Sequence, residues 1–584
     1  MRYGGSIIAD TLQQHDVEFI FTLCGGHISP ILVACSEKGI RVVDVRHEAT
    51  AVFAADAVSR LSPAIGVAAV TAGPGLTNTL TAVKNIQMAQ VPVLLLGGAT
   101  ATILKGRGSL QDIDQMSLLR PLTKYQVLVK RVKDIANEIN KAIIIAQSDV
   151  PGPVFVELPL DLLYPQDLVR ELYGLNTDDQ KRPWWMEKYL QRNLNRIFNG
   201  FETTPKPVSE ITCPMPIPSA MRKASDLMFN SKRPVLLVGS QTMLNVPRVD
   251  NLAQKLASID IPMFVSGMAR GLLSREELNI FRHQRKKALQ EADLVILAGV
   301  PCDFRLAYGR QINRDAEIIS INRSRSDLYL NRKPTLAIQA DPGSFFSSLP
   351  ENQSENGIDL ETWIDTLRQR DKKRLDQIHE QSEINTDYVN PLKFFTKLDM
   401  HLKDGDILIA DGGDFVATAS YILRPRSNLG WLDPGPFGTL GVGAGFILGG
   451  KLTLPNATVW GIYGDGAFGY SMVEFDTFVR HNIPLIAIIG NDSGWTQIAR
   501  DQVEIFKDPV ATELGNTKYH EVVTALGGQG LQITDKKEID DVLKTAKDFA
   551  AAGKSVAINV KLSLIHISEP TRRYAISYAG VCLK

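Results

Sequence analysis

The chain has 584 residues, 44% hydrophobic and 22% charged, the balance of a soluble globular protein too long for a single domain. Lys+Arg and Asp+Glu both number 64, so there is no basic excess of the kind that nucleic-acid binders carry, although one local anion cradle needs few charges. The five cysteines (Cys24, Cys35, Cys213, Cys302, Cys582) are scattered without a CxxC pair, which argues against a disulfide framework or zinc site and for a reducing compartment; no apolar run reaches the ~18–20 residues that cross a bilayer.

Residues 1–168 alternate helical patterns with short apolar runs, 17–23 VEFIFTL, 65–71 IGVAAVT, 91–97 VPVLLLG and 154–158 VFVEL. Such runs, split by amphipathic stretches, predict a parallel sheet covered by helices on both faces. Three loops in this part carry polar chemistry. His27 lies in 24–30 CGGHISP. Glu48 stands in 44–57 DVRHEATAVFAADA, where a strand gives way to an Ala-rich helix; alone, it reads as a first-turn acid favoured by the helix dipole. Gly73, Pro74, Gly75 and Asn78 belong to 71–78 TAGPGLTN, a strand-to-helix turn.

Residues 169–214 are polar, with Trp184, Trp185 and Tyr189 among Lys and Arg, and become Pro-rich over 205–218. They read as a linker carrying one amphipathic helix, either an inter-domain clasp or a membrane-surface helix. Residues 215–345 form a second α/β unit with runs at 234–239, 261–265, 293–299 and 317–321; residues 346–388, charged and turn-rich, form a second linker. Residues 389–563 are a third α/β unit with runs at 406–410, 458–463, 483–489 and 555–560. The tail 564–584 breaks the pattern and resembles a translated sequencing adaptor more than protein; it is left out of the functional reading, with Cys582 and His566.

The sharpest local signal is Gly464-Asp465-Gly466 directly after the run 458–463, followed past residues 467–490 by Asn491-Asp492. Ligands of open α/β sheets bind outside the carboxyl ends of strands, and a following helix N-terminus favours phosphate. The stretch 464–469, which includes Ala467, also fits the dinucleotide pattern GxGxxG. There, however, pyrophosphate meets backbone directly and a carboxylate in the turn would repel it. Asp465 makes sense with a cation between, Asp465 and Asn491 supplying hard oxygens to Mg²⁺. The spacing predicts a helix over 468–481 and a returning strand with Asn491 at its end. Gly412, Gly413 and Asp414 in 411–415 DGGDF follow another strand, and the glycines would let backbone N–H groups approach phosphate.

GDG, the intervening stretch and then Asn resemble the thiamine-diphosphate motif. Over roughly residues 1–560 the chain is similar to the acetolactate-synthase-like 2-hydroxyacyl-CoA lyases. The segments that carry the resemblance are 24–30, 46–57, 71–90 TAGPGLTNTLTAVKNIQMAQ, 267–273 GMARGLL, 433–445 DPGPFGTLGVGAG and 491–497 NDSGWTQ. The resemblance implies a thiamine-diphosphate-binding fold of three doubly wound α/β domains with parallel sheets: pyrimidine-binding, central and pyrophosphate-binding. It implies Asp465, Asn491 and the carbonyl of Ser493 as Mg²⁺ ligands, with Gly464, Gly466 and Ala467 around the diphosphate. Asp492 stands where many members have a second Asn. Glu48 becomes the carboxyl that bonds the cofactor's N1′, with Gly73, Pro74, Gly75 and Asn78 shaping the aminopyrimidine pocket. Leu440 becomes the wedge that holds the cofactor bent.

The implied reaction is cleavage of a 2-hydroxyacyl-CoA to formyl-CoA and an aldehyde one carbon shorter, the chemistry of fatty-acid α-oxidation, with the cofactor as electron sink. His27 and Gln111 are candidates for the substrate side, and Trp495 and Gln497 for its wall. Two alternatives stand: acetolactate-type joining of 2-oxoacids, and a scaffold that binds cofactor without turnover. Leu110-Gln111-Asp112, where the synthases have Phe-Gln-Glu, speaks against the first and Glu48 against the second. The central segments 238–241, 267–273 and 339–341 are candidates to hold FAD or the ADP part of CoA. The expected partners are an acyl-CoA or 2-oxoacid substrate and further copies of the chain, as homodimer or homotetramer, with no nucleic acid. The expected compartment is the cytoplasm, or the endoplasmic-reticulum membrane if an N-terminal anchor precedes this sequence.

Overall fold

The computed structural model describes residues 2–175, 183–200, 210–274, 279–349 and 360–563; the tail 564–584 lies outside them. The apolar runs become strands because each is short, rich in Val, Ile and Leu, and covered on both faces, so neither side must be polar. The chain divides into two compact units, Met1–Thr212 with Pro434–Thr453, and Cys213–Asp433 with Leu454–Lys584.

The first unit holds six parallel strands: β1 (Phe19–Leu23), β2 (Arg41–Asp44), β3 (Gly66–Val70), β4 (Val93–Ala99), β5 (Tyr125–Leu128) and β6 (Pro153–Pro159), in the order β2-β1-β3-β4-β6-β5. The second unit holds two sheets. One contains β7 (Pro234–Val238), β8 (Met263–Val265), β9 (Leu294–Ala298), β10 (Glu317–Asn322) and β11 (Leu336–Gln339), in the order β11-β10-β9-β7-β8. The other contains β12 (Ile407–Asp411), β13 (Trp431–Leu432), β14 (Val459–Gly464), β15 (Leu485–Asn491), β16 (Gln529–Ile533) and β17 (Ser555–Lys561), in the order β13-β12-β14-β15-β17-β16. All named pairings are parallel, and the three doubly wound sheets expected from the sequence are present.

In each sheet the winding direction reverses beside the first strand, between β1 and β3, between β7 and β9, and between β12 and β14; in the first and third sheets the last two strands also double back, as β4-β6-β5 and β15-β17-β16. The connections on either side of such a point leave the sheet in opposite directions and open a crevice at the strands' carboxyl ends. Those three reversals fix where ligands have room.

The segment read as the first linker is built into the first core. Its helix Trp184–Phe198 buries Leu194, Ile197 and Phe198 with Val169, Tyr173 and Ile139. Residues 434–453 also join the first unit, through a helix Gly443–Thr453 of small residues. A Cβ on Gly445 would lie 2.5 Å from Phe53 Cβ, and one on Gly449 would lie 2.2 Å from the Ala54 carbonyl oxygen. The two helices, Gly443–Thr453 and Glu48–Leu61, touch backbone to backbone, which larger residues would prevent. Among the described residues no helix is long and apolar enough to cross a membrane.

Candidate active site

The reversal between β1 and β3 gathers the first set of candidates. Glu48 is buried and is the first residue of the helix Glu48–Leu61. His47 caps that helix, its Nδ1 accepting the Ala49 N–H at 3.1 Å. Asn78 donates through Nδ2 to Glu48 Oε2 at 3.0 Å. Gly75 lies between them: a Cβ there would meet Thr71 Cγ2 at 2.7 Å and Glu48 Oε1 at 3.6 Å. A buried acid so placed, with a neutral amide donating to one of its oxygens, can share a proton with a ring nitrogen.

His27 follows β1, and its Nδ1 is 3.1 Å from Thr71 Oγ1, just beyond β3. Burial lowers the His27 pKa, which keeps the imidazole neutral at pH 7. Gly73 has φ +65°, and a Cβ there would stand 3.0 Å from Gln111 Cβ. Gln111, itself at φ +64°, is thus seated on the turn that carries Pro74 and Asn78. Gln115, which the sequence did not single out, holds this arrangement together. Its Oε1 accepts the Gly73 N–H at 3.2 Å, and its Nε2 donates to the Gly98 carbonyl at 3.0 Å. A Cβ on Gly98 would in turn strike His27 Cβ at 2.5 Å. Gln115 belongs to no local pattern, and Thr71, although it opens the turn 71–78, meets a partner far away in the chain. Leu440, half-buried, lies in the loop before the helix Gly443–Thr453 and so belongs to the unit that contains Glu48.

The reversal between β12 and β14 gathers the second set. A Cβ on Gly412 (φ +145°) would stand 2.7 Å from the Gly464 nitrogen, and one on Gly413 would stand 2.9 Å from Gln497 Oε1. Gly466 is covered by the Trp495 ring, 2.5 Å from where its Cβ would be. The glycines here are required by close approach. Asp465 and Ala467 are buried in the helix Asp465–Ser471. Asp465 Oδ1 accepts the Gly466 N–H at 2.8 Å and Oδ2 the Gly494 N–H at 3.3 Å. Asn491 closes β15; its Nδ2 donates to the Thr517 carbonyl at 3.0 Å and to Asn559 Oδ1 at 3.1 Å, so the amide is oriented, and its Oδ1 accepts the Ser493 N–H at 3.2 Å. Ser493 takes a left-handed conformation, φ +59°, and its carbonyl accepts the Leu514 N–H at 2.7 Å, leaving one lone pair.

Burial, with Asp492 nearby, pushes the Asp465 carboxyl up to about 7. Burial also raises Asp492, which accepts the Thr496 hydroxyl at 2.7 Å. Asp414 pairs with Arg500. Carboxylates crowded in a dry pocket favour either protons or a cation. Among the described residues no group of three or more His, Cys, Asp or Glu could hold a metal, so an ion here would draw on a carboxylate, an amide and a backbone carbonyl. The continuous helix expected over 468–481 is broken: Asp465–Ser471 and Phe475–Arg480 are separated by a tight turn at Met472–Glu474, where the buried Glu474 carboxylate takes the Thr477 hydroxyl at 2.6 Å.

Three family models match the chain: the N-terminal TPP-binding domain of thiamine pyrophosphate enzymes over residues 2–118, their central domain over 221–349 and their C-terminal TPP-binding domain over 411–560. A 2-hydroxyacyl-CoA lyase 2 of Danio rerio is 47% identical over 580 residues, covering 97% of this chain and 93% of the relative. That of Homo sapiens is 46% identical, covering 96% and 90%. A probable acetolactate synthase of Mycobacterium bovis is 31% identical, covering 96% and 95%. The chain belongs to the thiamine-pyrophosphate enzyme family. Within it, likeness over nearly the full length to the lyases makes it a thiamine-diphosphate-dependent lyase.

Proposed function

We propose that the chain, with thiamine diphosphate and Mg²⁺, cleaves 2-hydroxyacyl-CoA to formyl-CoA and an aldehyde one carbon shorter. The observation that carries the reading is the buried Glu48–Asn78 pair beside the neutral His27–Thr71 pair, in a chain 46–48% identical to proteins named 2-hydroxyacyl-CoA lyase 2. The residues present fit the cofactor. Gly412 and Gly413 leave backbone where a Cβ would close the crevice, and the buried Asp465 carboxyl beside Asp492 suits a cation.

Thiamine diphosphate supplies the electron sink on which a bond next to a carbonyl can break. The protein's own part divides as follows. Glu48 holds a proton at the aminopyrimidine ring nitrogen, and Asn78 orients the carboxyl. Asp465 Oδ, Asn491 Oδ1 and the Ser493 carbonyl would hold Mg²⁺, whose charge would offset the neighbouring Asp492. Leu440 would be the apolar wall against which the cofactor packs. His27, neutral and oriented through Nδ1 by Thr71, accepts the proton of the substrate's 2-hydroxyl, the step that releases the aldehyde. Gln111 is placed by Gly73 and Gln115 to face the thioester side.

The third reversal, between β7 and β9, brings Gly239 to 2.6 Å (from its Cβ position) of the Gly299 carbonyl, beside Ser240, Gln241 and the Arg323–Asp341 pair. This crevice suits a nucleotide moiety, either flavin or the ADP part of CoA; a yellow purified protein selects flavin. The working form is a homodimer or homotetramer. Incubation with a 2-hydroxyacyl-CoA should yield equal amounts of formyl-CoA and shortened aldehyde. Acetolactate from pyruvate, with no aldehyde from the thioester, would instead establish the synthase reading that the 31% identical relative suggests.

A further inference from the structure

The helix Trp184–Phe198 takes no part in the chemistry above. Its inner face, Asn193, Leu194, Ile197 and Phe198, is buried in the first unit. At 3.6 residues per turn, Trp184, Lys188 and Arg192 form one row on the opposite face, and Trp185 and Tyr189 flank it. That face should be polar on a water-soluble surface. Instead Trp184 is 73% exposed, Trp185 57% and Tyr189 48%, with Met186 also exposed. Lys188 Nζ stands 5.8 Å from the centre of the Trp184 ring. The helix has one acid, Glu187, against Lys188, Arg192 and Arg196.

Two indoles and a phenol at the level of Lys and Arg, with no acid in the row, form the pattern that partitions into a lipid headgroup layer, where the ring is apolar and its N–H or O–H stays wet. The basic row complements anionic headgroups. A second observation ties the helix to the candidate site. Asn193 Nδ2 donates to Thr102 Oγ1 and to the Tyr173 hydroxyl, each at 3.1 Å. Asp161 Oδ2 accepts from the same Thr102 hydroxyl at 2.6 Å and from the Tyr173 hydroxyl at 2.6 Å. Thr102 opens the loop that leads to Gln111, and this loop exposes Leu104 and Leu110, the latter to 84%.

We propose that the outer face of the helix Trp184–Phe198 docks the protein on an anionic lipid surface through Trp184, Trp185 and Tyr189, beside the loop that carries Gln111. The proposal does not depend on the substrate. The test is co-flotation of the full chain, loaded with cofactor, with phosphatidylcholine vesicles containing or lacking phosphatidylserine. The protein should float with the anionic vesicles, and its tryptophan emission should shift to the blue. Trp363, Trp431 and Trp460 are already buried and Trp495 is half-buried beside Gly466, so the shift is assigned to the outer face by its absence in the Trp184→Ser/Trp185→Ser variant, which keeps those four. The Trp184→Ser/Trp185→Ser variant should lose binding by about tenfold or more with cofactor affinity unchanged, and Lys188→Glu/Arg192→Glu should abolish the preference for phosphatidylserine. Absence of flotation by the parent protein would overturn the proposal, as would undiminished flotation of the double Trp variant. So would a loss of self-association in that variant without an effect on vesicles, which would mean that a second copy covers the face.

Discussion

Asp465 shows how one residue links fold to chemistry. Its carboxyl is buried, hydrogen-bonded to Gly466 and Gly494, and raised to about 7 by burial and then by Asp492. Replacing it with Ala should weaken Mg²⁺-dependent cofactor binding by at least the ~10–100-fold that loss of a supporting residue costs at a metal site, measured by titration with thiamine diphosphate and Mg²⁺. Affinity within threefold of the parent would remove Asp465 from the metal site. At His27 the expectation concerns pH. Burial depresses the imidazole below its ordinary 6.5, so the neutral form persists at pH 7 and is lost only as pH falls through a value below 6.5. A base needed in its neutral form therefore gives an acid limb in kcat below pH 6.5 that His27→Gln removes along with most of the rate, a loss of about 10²–10⁴-fold. A retained limb in that variant would assign the titration elsewhere.

At the scale of elements, the contact between the helices Glu48–Leu61 and Gly443–Thr453 fixes the helix that Glu48 begins. Phe446 stacks edge-on to Phe53 at 6.1 Å, and the Arg60 guanidinium, paired with the buried Asp56 at 2.7 Å, stands 5.0 Å from the Phe446 ring centre. Gly449→Ala puts a Cβ 2.2 Å from the Ala54 oxygen, so the helices must part. The change should cost about 1–3 kcal/mol in unfolding free energy by denaturant titration and lower activity with it. An unchanged midpoint would mean that the helices are not pressed together. This contact was not legible in the sequence: 437–445 reads as a loop and helix of the third domain, and nothing local says that it joins the first unit. What was legible is what local pattern encodes. Runs such as 458–463 and 483–489 mark β14 and β15, and GDG followed by Asn sits at their ends. The short edge strands β13 and β16 carry too few apolar residues to announce themselves. Thr71, Gln115 and Arg500 act through partners 44, 42 and 86 positions away, beyond any window of sequence periodicity.

For the whole molecule, a single rule recurs three times: the winding reverses and glycines line the crevice, at Gly73 and Gly75, at Gly239 and Gly299, and at Gly412 and Gly464. The chain is thus three variants of one doubly wound sheet, differing in the few side chains at each reversal: an acid with an amide in the first, an Arg–Asp pair in the second, and an acid with an oriented Asn in the third. The proposed function rests on activation of thiamine diphosphate by Glu48. Its most direct test is exchange of the C2 proton of bound thiamine diphosphate with deuterium, followed by NMR after acid quench. In the parent protein exchange should be fast; in Glu48→Ala the cofactor should still bind while exchange slows by about 10²-fold or more. Exchange at the parent rate in Glu48→Ala, with the cofactor fully bound, would contradict the account.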